Sequence, residues 1–131
     1  MRYRPFGPAG AAVSNLTLSL GLDAAAHGPE HASGLIFTAL EAGINSYRLE
    51  SSDPVLTEIV GRALSHVDRK LLNVSLGLGQ GDARPGAPRD FSAYGMTHAI
   101  DHVLHVSGLG WLDLALLHEP GEHELPQTSL T

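Results

Sequence analysis

The sequence predicts an α/β protein built on a parallel sheet. Short apolar runs alternate along the chain with amphipathic segments of helical length. Some of those runs are almost continuously apolar, the pattern of strands buried on both faces. Glycine and proline stand at the junctions, where turns and helix ends require them.

The chain opens with "MRYRPFGPAGAAVSN", alternating residues around Gly7, Pro8 and Gly10, which reads as a small β-hairpin over about residues 1–15. "LTLSLGL", from Leu16 to Leu22, alternates apolar and small polar residues and reads as the first main strand. "PEHASGLIFTALEAG" follows as a helix, with Pro29 in its first turn and Gly43 just past its end. Leu35, Ile36, Ala39 and Leu40 make its apolar face. "INSYRLE" is the second strand. Asp53-Pro54 is a helix start, the aspartate as N-cap and the proline at the first position. The helix it opens places Val55, Leu56, Ile59, Val60, Ala63 and Leu64 on one side. "KLLNVSLGLG", from Lys70 to Gly79, is the third strand, and "QGDARPGAPRD" is a loop. Ser92 caps a helix running to about Ser107, before Gly108. "WLDLALLH", from Trp111 to His118, is the fourth strand, and a polar tail covers about residues 119–131.

A hairpin followed by β-α-β-α-β-α-β fits two architectures, an open doubly wound sheet or part of a (β/α)8 barrel. In both, function sits at the C-terminal ends of the strands. Here those ends are Gly21-Leu22, Arg48 to Glu50, Leu76 to Gly79 and His118-Glu119. No G-x-G-x-x-G follows the first strand, and the lone "GLGQG" turn after the third is weak evidence for phosphate binding.

Composition narrows the function classes. The chain has 131 residues, enough for one domain (residues 1–131) with a real core. Its net charge is -6 and it has no basic patch, which argues against nucleic acid as a partner. It has no cysteine, hence no disulfide, thiolate metal site or catalytic thiol. No segment approaches the roughly 20 continuous apolar residues of a membrane helix, and the start does not read as a secretory signal. The expectation is a soluble cytoplasmic domain with no membrane partner.

The segments "RYRPFG", "ALEAGIN", "VGRAL" and "WLDLALLHEP" together resemble the N-terminal half of the aldo-keto reductases, from Arg2 to about Pro120. The resemblance implies half of a TIM-type (β/α)8 barrel, four parallel strands alternating with helices, with the hairpin plugging its bottom. It also implies hydride transfer from NADPH to a carbonyl. Four catalytic groups go with that chemistry: an aspartate and a tyrosine after the second strand, a lysine ending the third, and a histidine ending the fourth. Against that pattern this chain has Arg48 at the aspartate position and no tyrosine in the loop that follows. Tyr47 adjoins Arg48 and so faces the other side of the strand. Ser75-Leu76 stands where the family has threonine-lysine. Only His118 matches. In the family the lysine, paired with the aspartate, lowers the pKa of the proton-donating tyrosine. Without those groups, reductase turnover is not expected. No cofactor is expected, with NADPH as the alternative.

Arg48 and Glu50, two residues apart, face one side of a buried strand, and with His118 they are candidates for a polar cluster at the old active site. Two readings stay open for the charged pair. They neutralise each other or pair across an interface, or they form an anion-binding or repurposed catalytic site. His98, His102 and His105 share a helix face opposite Met96, Ile100 and Val103, a weak candidate for zinc or nickel. A four-stranded half barrel leaves two unpaired edges and an open apolar interior. That leads to the expectation of a homodimer, or of a partner chain supplying the other half. The functional expectation is a half-barrel scaffold, binding module or subunit. The alternatives are an NADPH-dependent oxidoreductase completed by association, or a repurposed enzyme using His118 and Glu50.

Overall fold

The structure, a computed structural model, describes residues 1–7, 11–78 and 92–117. His118, the "GLGQG" turn beyond Leu78, and the polar tail lie outside the described residues. Strands β1 (Tyr3–Phe6) and β2 (Ala11–Ser14) form an antiparallel hairpin. Strands β3 (Thr17–Leu20), β4 (Ser46–Leu49), β5 (Asn73–Leu78) and β6 (Leu114–Leu117) form a second sheet in the order β3-β4-β5-β6, every pair parallel. Helices α2 (Pro29–Glu41), α3 (Pro54–Leu64) and α4 (Ala93–Ser107) make the crossovers. This is the hairpin-plus-four-strand α/β arrangement read from the sequence.

The helix ends form for the reasons their residues suggest. Asp53 accepts a hydrogen bond from the Leu56 amide at 3.0 Å, and Pro54 occupies the first turn. The Ser92 hydroxyl accepts from the Gly95 amide at 3.0 Å. Gly108, at φ 70°, closes α4 in the left-handed region that glycine enters without strain.

Two local expectations are corrected. The first strand ends at Leu20, and a short helix, α1 (Leu22–Ala26), follows. Its run of alanines favours helix once the chain leaves the sheet. The third strand starts at Asn73, because Arg69–Leu71 wind into a 3-10 turn capped by Asp68. Two helix-face assignments also change. Leu35 and Val55 are exposed, while Ile36, Ala39, Leu56, Ile59, Val60, Ala63 and Leu64 are buried.

The core lies on one side of the main sheet. Leu20, Tyr47, Leu49, Val74 and Leu76 point into it and meet Ile36, Leu56, Val60, Leu64 and Val103 from the helices. Burying each such leucine or valine is worth roughly 1.5–3 kcal/mol, so this layer dominates the fold's stability. The α3 and α4 backbones approach closely at Gly61, where a Cβ would lie 2.6 Å from Ser107 Cα. The glycine of "VGRAL" is therefore a packing requirement.

Two polar clamps fix the N-terminal ends of the strands. The Asn45 side chain accepts from the Ser14 amide at 2.8 Å and donates to the Ala12 carbonyl at 2.8 Å. The Tyr3 hydroxyl donates to the Gly43 carbonyl at 2.6 Å. The "GIN" motif thus holds the hairpin against the bottom of β4. Toward the β6 edge of the sheet, at the same N-terminal end, Asp113 accepts from the Val74 amide at 2.8 Å and from Arg69 at 2.9 Å. The Arg69 guanidinium also donates to the carbonyls of Leu72, Leu109 and Trp111 and stacks on the Trp111 ring. Trp111 and Asp113 are therefore structural, holding the entry to β6.

The other face of the sheet departs from expectation. An open half barrel was expected to expose an apolar interior. Residues paired across a parallel sheet share a face, so the face turned away from the described helices carries Thr17, Ser46 and Asn73 in one row and Ser19, Arg48, Ser75 and Leu114 in the next. Only β6 contributes large apolar residues to it, Leu114 and Leu116. The strands therefore alternate polar and apolar residues, as sheets covered on one side do.

Replacing Gly61 by alanine should separate α3 from α4 at a backbone-to-backbone contact. The expected loss is about 1–3 kcal/mol, read as a lower urea midpoint with an unchanged m-value.

Candidate functional site

The face turned away from the described helices brings two charged residues to the C-terminal end of β4. Arg48 sits between Ser19 and Ser75 in the strand register. It is half-buried, and its Nε is fully shielded from solvent without a hydrogen-bond partner. Among the described residues its guanidinium forms no hydrogen bond and no ion pair. Thr57 Oγ1 is the other buried side-chain polar atom left without a partner there. A guanidinium carries five donors and stays charged at any ordinary pH, so an unpaired one away from water is costly.

Glu50 follows the end of β4, where its amide still bonds the Leu20 carbonyl at 2.9 Å. Its Oε1 accepts from the Ser19 hydroxyl at 3.0 Å. Its carboxylate lies over Gly21, where any side chain would overlap it. On the opposite side, a Cβ at Gly77 would come within 3.1 Å of the Glu50 carbonyl. Gly21, just past β3, and Gly77, on β5, thus clear the space that Glu50 occupies.

Arg48 and Glu50 do not pair with each other. The Glu50 carboxylate turns toward β3 instead, which overturns the reading of a mutually neutralised pair within the chain. His118, the third member of the expected cluster, lies outside the described residues.

Among the described residues this face of the sheet carries no lysine and no tyrosine. Leu76 points into the helix-covered core, so the β5 side chains on Arg48's side are Ser75 and Asn73, with Gly77 in line with Glu50. Tyr47 is 1% exposed on the helix side, and its hydroxyl donates to the Ile44 carbonyl at 2.6 Å. Burial pushes the Tyr47 hydroxyl up to about 12. It cannot act as the acid of a site on the opposite face.

Of the α4 histidines His98 and His105 are exposed as their spacing predicts, His102 is half-buried, and Met96, Ala99, Ile100 and Val103 lie against the core. His98 stacks between Tyr94 and His102, at ring separations of 6.1 and 6.5 Å. Among the described residues no group of three histidine, aspartate or glutamate side chains could hold a metal ion. A shallow cleft of about 340 Å³ lies at the other end of the sheet, lined by Tyr3, Ala12, Gly43, Asn45, Val67 and Leu71.

The sequence carries one signal for this site that its strand-by-strand reading missed. Ser-Leu-Gly-Leu occurs twice, at residues 19–22 and 75–78. The two copies flank β4 and place a serine on each side of Arg48 and a glycine on each side of Glu50. The leucines following the serines, Leu20 and Leu76, enter the core.

The fold these elements define is half of an aldo-keto reductase barrel. A Pseudomonas aeruginosa protein described as an aldo-keto reductase superposes with a TM-score of 0.77 at 23% identity, covering 98% of this chain and 52% of that one. A thermostable aldo-keto reductase in complex with the inhibitor epalrestat superposes with a TM-score of 0.71 at 16% identity, covering 94% of this chain and 44% of that one. The chain therefore spans about half the length of the structures it matches, and the likeness is one of fold. No protein-family model matches the sequence, and no curated protein matches it. Among the described residues no helix is long and apolar enough to cross a membrane.

Tyr47 supplies a pH-dependent test of its placement. Its hydroxyl ionises near 10 when unfolded and near 12 when folded. The folded chain holds this proton more tightly, so the stabilisation is complete below pH 10 and is lost as pH rises through 12. Tyr47 should appear as a late component in ultraviolet difference spectra, and Tyr47→Phe should remove it.

Proposed function

We propose that the chain is a half-barrel binding module or subunit that self-associates and does not turn over as a reductase by itself. The observation that carries this reading is Arg48, an unpaired cation at the position where the fold's reductases are expected to hold a carboxylate. A cation there would oppose, not assist, a neighbouring lysine. Leu76 stands at the lysine position in any case, and Tyr47, adjoining Arg48, faces the wrong side. General acid-base groups of this kind are worth about 10²–10⁴-fold in rate, so their absence removes most of the expected chemistry.

Self-association draws its support from the edges of the sheet. Among the described residues β3 and β6 are edge strands, and each offers unpaired backbone groups to a second chain. The polar open face supports a wet, hydrogen-bonded contact or a ligand surface in place of a dry barrel interior.

A second reading is favoured by the fold itself, since the structures it matches are described as aldo-keto reductases. In that reading a partner completes an NADPH site, or His118 and Glu50 serve another reaction. Calorimetric titration with NADPH separates the two. The expected outcome is no saturable heat up to millimolar cofactor and no carbonyl-dependent NADPH oxidation. Saturable binding with turnover would establish the second reading.

A further inference from the structure

We propose that Arg48 and Glu50 form a binding site for a small carboxylate carrying an ammonium group nearby, an α-amino acid in chemical class. The inference deepens the binding-module reading and rests on it.

The unpaired guanidinium selects the first half of the ligand. Arg48 makes no hydrogen bond or ion pair among the described residues, and its Nε is shielded from solvent, which leaves the two terminal nitrogens to meet a ligand. A planar carboxylate matches the guanidinium fork with two parallel bonds. The Ser75 hydroxyl, in register beside Arg48, is 6% exposed in residue terms and free to donate as well.

Glu50 selects the second half. It stands two residues on, roughly 6.6 Å along the strand at about 3.3 Å per residue. Ser19 donates to its Oε1, which leaves Oε2 without a donor among the described residues. A ligand with a second negative charge would face this carboxylate and be repelled. An ammonium would instead complete its hydrogen bonding. One ligand thus supplies what each protein group lacks.

The surroundings set size and polarity. Gly21 and Gly77 keep the flanks of Glu50 free of side chains. On β6, Leu114 and Leu116 extend the Arg48 and Gly77 rows with apolar surface. Leu114 is 39% exposed, open to a short aliphatic group. Polar groups in the centre with an apolar strip on one side suit an amino acid such as valine better than a phosphate ester.

The test is calorimetric titration of the full chain at fixed ionic strength with L-valine, isovalerate and inorganic phosphate. L-Valine should saturate, and isovalerate, which lacks the ammonium, should bind about tenfold more weakly, one charge-assisted hydrogen bond fewer. Glu50→Gln should narrow that gap. Arg48→Lys should weaken valine binding by about tenfold through loss of the bidentate fork. Arg48→Leu should abolish it. Arg48→Leu should also raise the urea midpoint, because it removes an uncompensated cation from a half-buried position. A structural arginine would give the opposite shift. Undiminished valine binding in Arg48→Leu, a lower urea midpoint for that variant, or no saturation by L-valine would each overturn the site. Phosphate binding as tightly as valine would overturn the assigned ligand class. Sedimentation of the same samples separates this inference from the reading it rests on. Self-association without valine binding would remove the site and leave the subunit reading, whereas valine binding to a strict monomer would leave the site and remove self-association.

Discussion

The helices cover only one face of the sheet, and the rest of the molecule follows from that constraint. A parallel strand needs a crossover, and consistent crossover handedness stacks the helices on one side. Tyr47, Leu49, Val74 and Leu76 meet that layer and carry the hydrophobic stabilisation. Their neighbours on the same strands, Ser46, Arg48, Asn73 and Ser75, lie on the other side. In a closed barrel such positions fill a packed interior. Here they are small or polar, so the face is chemically suited to water, a ligand or a wet contact.

Polar clamps make this arrangement specific. Hydrophobic burial is non-directional and does not by itself fix strand register. Asn45 ties the hairpin to the start of β4, and Asp113 with Arg69 ties the start of β6 to β5. Both clamps work at the ends of the strands away from Glu50. The site is thereby left free of structural duty, and an unpaired Arg48 is tolerated there because stability comes from elsewhere.

Much of the fold was legible because helix boundaries depend on local chemistry. Asp53-Pro54, Ser92 and Gly108 marked their ends correctly, since capping is satisfied by residues within one turn. Leu22, which opens α1, and Lys70 and Leu71, in the 3-10 turn at Arg69–Leu71, were assigned to strands because leucine-rich runs suit strand and helix alike. Leu35 and Val55 were assigned to apolar faces because periodicity cannot say how wide a face the sheet will cover. The polar open face was written into the alternation of "TLSLGL" and "NVSLGL", but the barrel resemblance suggested an apolar interior and masked it. For the site, strand parity correctly placed Arg48 and Glu50 on one face and Tyr47 on the other. That the two charges do not pair was not legible, because it depends on Gly21 admitting the Glu50 carboxylate from a neighbouring strand.

The proposed role as a self-associating half barrel is tested most directly by sedimentation velocity over a wide concentration range. A folded 13.8 kDa chain whose described sheet ends at β3 and β6 should show a reversible, concentration-dependent dimer. A single monomeric species that stays folded at every concentration would contradict it.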